Sequence, residues 1–144
     1  MRFPAWFGRR TQRGSQSLEA AIVLPAMVLF IGLLLFGARV VQAKQAVTAA
    51  AQAGARAASI ERSSSLGRTS AQEVAAANLT NTRTRCTPQV AVKGNWNAPI
   101  GQAASIDATV RCRISMGDLV LPGVPGSITV SATRSSPLDR YRER

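Results

Sequence analysis

The feature that most constrains this chain is an uncharged run of 19 residues, 20–38, close to the N-terminus. A helix needs about 20 apolar residues to cross about 30 Å of hydrocarbon. Val40 and Val41 extend the run past Arg39, whose long side chain can reach the membrane interface. The run therefore predicts one membrane-spanning helix.

The charges around this run predict its orientation. Arg2, Arg9, Arg10 and Arg13 precede it, with no acidic residue among them. The positive-inside rule then keeps the N-terminus in the cytoplasm and exports the C-terminal portion across the cytoplasmic membrane. A secretory signal peptide is the alternative, but its apolar core is about 7–15 residues long and ends in an A-x-A-like site. Here the run is longer and an alanine-rich helical pattern continues to Ala58, so we expect no cleavage after the apolar run.

Glu19 stands immediately before the uncharged run. A carboxylate at the edge of hydrocarbon is costly unless something compensates it. Cleavage after Gly14 would create an α-amine at Ser15, which could neutralise the carboxylate between neighbouring subunits. Alternatively, Glu19 is an N-terminal helix charge favoured by the helix dipole, with Ser15 or Ser17 as the cap. The junction by itself leaves both interpretations open.

The N-terminal third as a whole resembles the TadE-like pseudopilin family. Four features carry the resemblance: a basic leader, a glycine followed by four residues and a glutamate, Val-Leu-Pro inside the helix, and Ala-Gly-Ala-Arg-Ala-Ala near the helix end. The C-terminal SITVSATRSSPLDRYRER is similar to the end of actinobacterial members. The resemblance covers residues 10–60 well and residues 126–144 moderately. Many members carry an aromatic residue after the glutamate, whereas this chain has Ala20.

The resemblance implies a minor pilin of a tight-adherence (Flp-type) pilus or secretion system. It also implies cleavage by a prepilin peptidase between Gly14 and Ser15, on the cytoplasmic face. The implied partners are that peptidase, other pilins and the tight-adherence assembly proteins. The implied location is the cytoplasmic membrane, with an extracellular pilus as a further destination.

Beyond the membrane segment, residues 42–62 still favour a helix because alanine dominates them. Pro25 earlier in the helix predicts a kink. Small residues recur every fourth position, which allows another backbone to approach closely. That stripe could pack subunits in a filament or lie against the sheet of its own head, and we favour the second for the exported part. The stripe consists of Ala46, Ala50, Gly54 and Ala58.

The rest of the chain predicts a small α+β head. We expect a loop over residues 63–67 and a second helix from Ala71 to Leu79, with Ser70 and Glu73 forming a capping box. Residues 106–115 alternate between apolar and polar side chains, which is typical of a half-buried strand. Residues 90–92 and 128–132 predict flanking strands. A three-stranded antiparallel sheet packed against the exported helix follows.

These patterns divide the chain into four segments. They are a basic leader (residues 1–14), the transmembrane and extended helix (15–62), the exported head (63–134) and a polar, mobile tail (135–144). Residues 119–126 form an unusually apolar loop, which either contacts a partner or membrane or folds over the open side of the sheet.

Cys86 and Cys112 are the two cysteines of the chain. Cys112 lies on the apolar face of its predicted strand, and Cys86 has the same parity as Val90 and Val92. The exported side of the membrane is oxidising, so we expect a disulfide, which helps to stabilise a core this small. A metal site is a weaker alternative without histidine, and the spacing is not that of a C-x-x-C redox pair.

Composition disfavours enzymes, metals and cofactors. The chain has no histidine, and we find no paired carboxylates, nucleophile–base constellation or phosphate loop. The net charge of +11 raises a DNA-binding pseudopilin as one alternative. Nucleic acid is nevertheless disfavoured as a partner because there is no block of like charges and no recognised motif. A second alternative is an uncleaved single-pass adaptor of secretion machinery.

Overall fold

A computed structural model describes residues 12–82, 86–115 and 126–139, with backbone alone over residues 12–17. Two helices precede three strands, which confirms the α+β class: α1 (Gln12–Ile60), α2 (Ser64–Asn81), β1 (Gln89–Gly94), β2 (Ser105–Ser115) and β3 (Ser127–Pro137). The contacts divide the chain into two compact units, Met1–Gly37 and Ala38–Arg144. We call the second unit the head, and it includes the C-terminal part of α1.

The first unit contains the N-terminal part of α1, with Pro25 inside the helix. Proline has no N–H, so the carbonyl of Ala21 loses its usual helical donor. The helix nevertheless continues through Pro25. Within the described residues, the segment Leu18–Ile60 is long and apolar enough to contain a membrane span.

The second helix starts seven residues earlier than we predicted. Ser63 is its N-cap, and the Ser63 Oγ accepts a hydrogen bond from the backbone N–H of Leu66 at 3.3 Å. The predicted loop over residues 63–67 and the predicted cap at Ser70 are therefore wrong. The physical reason is that serine is a preferred N-cap residue, so a serine cluster can begin a helix as well as form a loop.

The sheet has the order β1-β2-β3 and is antiparallel throughout, as the sequence predicts. Val90 pairs with Val110, and Cys112 pairs with Val130. The predicted alternation along β2 is confirmed. Its apolar residues are buried at Ile106, Ala108, Val110 and Cys112, and its polar residues are exposed at Asp107, Arg111 and Arg113.

Helices α1 and α2 pack against one face of the sheet and form two buried clusters. One cluster joins Val47 and Ala50 of α1, Leu79 of α2, and Val110 and Cys112 of β2. The other cluster joins Ala58, Ala71, Trp96, Ile106 and Leu138. The part of α1 that lies in the head is rich in alanine, so the α1 backbone lies close to the elements that it contacts. The larger apolar side chains of the core come from α2, the sheet and Trp96.

Strand β3 continues past the predicted end of the head at residue 134. It reaches Pro137, and the backbone N–H of Leu138 donates to the carbonyl of Ala104 at 2.8 Å. Ser136 and Leu138 are buried. The predicted tail at residues 135–144 therefore begins with a strand, and residues 140–144 lie outside the described residues. The apolar loop predicted at 119–126 also lies outside them, except for Gly126, which is exposed.

Candidate functional site

The predicted cleavage junction lies near the start of α1. The backbone of Gly14 and Ser15 is helical, and α1 begins at Gln12. Ser15 and Glu19 are four residues apart, which places them on the same helix face with a rise of about 6 Å between them. The Glu19 side chain is exposed. An amine created at Ser15 would therefore stand one helical turn from the Glu19 carboxylate, at the positive end of the helix dipole.

The apolar residues that follow Glu19 are exposed around the whole circumference of the helix. Ile22 is 67% exposed, Leu24 is 65% exposed and Leu33 is 61% exposed. A helix that is apolar on every side is buried in a large core or in a membrane. The part of the chain that the structure describes supplies no such cover at these residues, so the helix fits a single-pass membrane protein.

The four residues of the small-residue stripe all lie within the core of the head. Ala46, Ala50, Gly54 and Ala58 are buried. A Cβ added at Gly54 would come within 3.2 Å of the carbonyl oxygen of Ala71 in α2. The stripe therefore brings the α1 and α2 backbones together inside one subunit, which is the arrangement of the intramolecular alternative.

The structure shows a helix–loop contact that the sequence analysis missed. The indole Nε1 of Trp96 donates to the carbonyl of Ala58 at 3.3 Å, and the Trp96 ring packs beside Gly67. Ser59 and Ser136 share a second long-range hydrogen bond, with their hydroxyl oxygens 3.0 Å apart. The sequence feature that could have indicated this contact is Trp96 itself, a tryptophan next to the Gly94-Asn95 turn. The contact spans 38 residues, so no local pattern indicates its partner.

The predicted disulfide between Cys86 and Cys112 is confirmed, with Cα atoms 5.8 Å apart. Cys112 is buried beside the α1 and α2 core residues, and Cys86 packs half-buried against the same cluster. The bond ties the segment before β1 to the middle of β2. Neither cysteine is therefore a free thiol.

Among the described residues, no group of three or more histidine, cysteine, aspartate or glutamate side chains could hold a metal ion. The exposed acidic residues Glu73 and Asp107 lie on α2 and β2, and Glu19 lies on the separate N-terminal unit.

One long apolar helix fits a single-pass membrane protein, and the residues after it form a small disulfide-linked α+β head. Residues 14–56 match the family described as TadE-like protein, so this helical segment is similar to that family. The match confirms the resemblance found in the sequence and associates the chain with pilin-like, pilus-related structural proteins. It starts at Gly14 and ends within α1, so it covers neither α2 nor the sheet. No curated protein matches the chain. No solved structure matches it either.

Proposed function

We propose that this chain is a minor pilin-like subunit of a tight-adherence pilus or secretion system, and that prepilin peptidase processes it between Gly14 and Ser15. The single observation that carries the proposal is the family match, which begins at Gly14 and runs through the apolar helix to residue 56. A structural role without catalysis accords with that family.

In this proposal, cleavage lowers the net charge of the protein and creates an α-amine at Ser15. Residues 1–14 contain four of the 18 basic residues and none of the seven acidic residues, so the mature chain keeps 14 basic residues and a net side-chain charge of +7. Removal of the basic leader also removes the charges that hold the N-terminus in the cytoplasm. The new amine at Ser15 then compensates the Glu19 carboxylate at the membrane edge, either in the same chain or in a neighbouring subunit.

Assembly with other pilins would use faces of α1 that the head does not bury. Within the head, the inward face of α1 is occupied by α2 and the sheet. Its outward face carries exposed small, polar and apolar residues, among them Ala49, Arg56 and Ile60. In the N-terminal unit, apolar residues are exposed on every side of the helix. Both segments could therefore contact neighbouring helices, first in the cytoplasmic membrane and then in a pilus.

A complementation experiment in the native host tests this function. The gene is deleted and replaced by wild type, Gly14→Val or Gly8→Val, and surface pili are counted by electron microscopy. Gly8 supplies a matched leader glycine outside the proposed junction. We expect wild type and Gly8→Val to restore the pili. Gly14→Val should not, because a branched side chain replaces the glycine on the N-terminal side of the scissile bond.

Full piliation with Gly14→Val, at wild-type protein level and with no cleavage, would overturn the processed-pilin proposal. That result would favour the uncleaved adaptor, which needs the membrane anchor but no cut junction. Binding of the mature chain to DNA at low salt, lost as salt rises, would instead favour the DNA-uptake alternative.

A further inference from the structure

The free edge of the sheet is formed by β3, a strand of eleven residues. One side of β3 pairs with β2 along its whole length, from Ser127 opposite Ser115 to Pro137 opposite Ser105. Within the described ranges, no element pairs with its other side. Such an edge presents unpaired N–H and C=O groups that can template another strand.

The hydrogen bond between Leu138 and Ala104 determines which residues point outward. These two residues continue the β2–β3 register by one step, and the Leu138 N–H donates to the Ala104 carbonyl. In an antiparallel ladder, opposite residues exchange backbone bonds at every second position. Even-numbered residues of β3 therefore bond to β2, and odd-numbered residues direct their N–H and C=O groups to the free side. The outward row is Ser127, Thr129, Ser131, Thr133 and Ser135, and it ends at Pro137, which has no N–H.

Within the described residues, β3 carries few of the devices that prevent strand addition. Proteins protect exposed edges with lysine, proline, bulges or very short strands. The register of β3 contains no bulge, its single proline is its last residue, and Arg134 is its only charged residue. By comparison, β1 at the other edge has six residues and includes Lys93.

The side chains around β3 indicate what kind of strand would fit. On the helix side, Ile128, Val130 and Ala132 are only half-buried, so apolar side chains of an added strand would complete their cover. On the outer face, Arg111 lies opposite Ser131 and Arg113 lies opposite Thr129. Because Ser131 and Thr129 have small side chains, they do not stand between the two arginines and a strand placed beside β3.

Arg113 already extends over β3. Its Nε and Nη2 atoms donate to the Ser127 Oγ at 3.2 and 3.1 Å. Ser127 belongs to the outward-bonding row, so the Arg113 guanidinium lies close to where a fourth strand would run. An exposed arginine in this position fits a carboxylate on the incoming strand.

We propose that the free edge of β3 binds an extended segment of a partner protein as a fourth strand of the sheet. The segment alternates apolar residues, which face Ile128 and Val130, with carboxylate residues, which face Arg111 and Arg113. Backbone hydrogen bonds supply affinity and the alternating side chains supply specificity. A second copy of β3 fits less well because it carries no carboxylate. The proposal does not depend on cleavage at Gly14.

The test uses the full-length chain in detergent micelles and two fluorescent ten-residue peptides. One peptide alternates valine with glutamate, and the other alternates valine with lysine. Three variants are compared with wild type: Ser131→Pro, which removes an outward N–H; Ser131→Ala, its matched control; and Arg113→Glu. Anisotropy measures binding, and circular dichroism with a free-thiol assay verifies that each variant retains its sheet and disulfide.

We expect saturable binding of the glutamate peptide and much weaker binding of the lysine peptide. Ser131→Pro should weaken binding of the glutamate peptide by about tenfold, because blocked edge hydrogen bonds lower affinity, and Ser131→Ala should leave it unchanged. Arg113→Glu should reverse the preference between the two peptides. If Ser131→Pro does not fold, Arg113→Glu decides the question alone. Absence of binding, equal binding of both peptides, or an unchanged preference in Arg113→Glu would overturn the proposal.

Discussion

The indole N–H of Trp96 caps the end of α1 by donating to the carbonyl oxygen of Ala58 at 3.3 Å. Helix α1 ends at Ile60, so the Ala58 carbonyl is among the last four of the helix, which have no intrahelical donor. Trp96 is itself buried in the cluster formed by Ala71, Ile106 and Leu138. One side chain from the β1–β2 connection thus satisfies a helix terminus and fills the core below it.

Replacement of Trp96 should therefore separate these two roles. Trp96→Phe keeps most of the apolar volume but leaves the buried Ala58 carbonyl without its donor, at an expected cost of about 1–3 kcal/mol. Trp96→Ala also leaves a cavity and should cost about 3–5 kcal/mol. Urea unfolding of the purified full-length chain, followed by the β-sheet circular dichroism signal, measures both. Equal stability of Trp96→Phe and wild type would show that the hydrogen bond contributes nothing.

Gly67→Ala should destabilise the head even though alanine is the better helix former. A Cβ at residue 67 would come within 3.0 Å of the Trp96 ring and 3.2 Å of the Ala58 carbonyl oxygen. Overpacking of this kind costs about 1–3 kcal/mol, more than the helix propensity gained. Gly37→Ala is the matched control because a Cβ there meets nothing within 4 Å. Urea unfolding midpoints provide the comparison, and an unchanged or higher midpoint for Gly67→Ala would contradict the packing described.

Loss of the disulfide should strongly destabilise the head. The two cysteines are 26 residues apart, and closure of such a loop contributes roughly 3–4 kcal/mol in the chain-entropy model. The double variant Cys86→Ala/Cys112→Ala should lower the free energy of unfolding by about that amount. On non-reducing gels, wild type should migrate faster than its reduced form, and the variant should show no such difference. Two free thiols in the wild-type chain isolated from its host's membranes would disprove the bond.

Two arginines in the apolar segment should impair membrane insertion. Each arginine at a helix centre costs about 2.5–3.5 kcal/mol on insertion scales, so Leu29→Arg/Leu33→Arg should lower the carbonate-resistant membrane fraction. Leu66→Arg is the control. Leu66 is about as exposed as Leu29, at 58% against 53%, but it belongs to α2 in the head and not to the apolar segment. Equal membrane retention of the double variant and the control would contradict a spanning role for the segment.

Short-range periodicity predicts much of this fold. The alternation along residues 106–115 identifies the buried face of β2, and the same parity places Cys112 toward the core. The start of α2 was mispredicted because serines and a glycine favour a loop locally. Gly67 is instead required by its contact with Trp96, which lies far away in the sequence. Similarly, β3 extends to Pro137 because β2 provides pairing partners along that length. The polar sequence Ser135-Ser136 does not by itself predict a strand.

The candidate junction comes from the resemblance to the TadE-like family and not from local spacing alone. Cleavage between Gly14 and Ser15, with Glu19 beside it, stays a prediction. The use of the small-residue stripe could not be decided from its spacing, because close backbone approach within a subunit and between subunits demands the same side chains. In the head, Gly54 lies against Ala71 of α2, a neighbour that the spacing does not indicate.

The N-terminal residue of the mature chain is the most direct evidence for or against cleavage after Gly14. The protein is extracted from membranes of cells with and without prepilin peptidase, and its intact mass and N-terminal sequence are determined. We predict a chain that starts at Ser15 when the peptidase is present, and the uncut leader when the peptidase is absent or when Gly14 is replaced. A leader that stays intact beside an active peptidase, which cleaves a control pilin in the same cells, would show that the chain is not processed at Gly14.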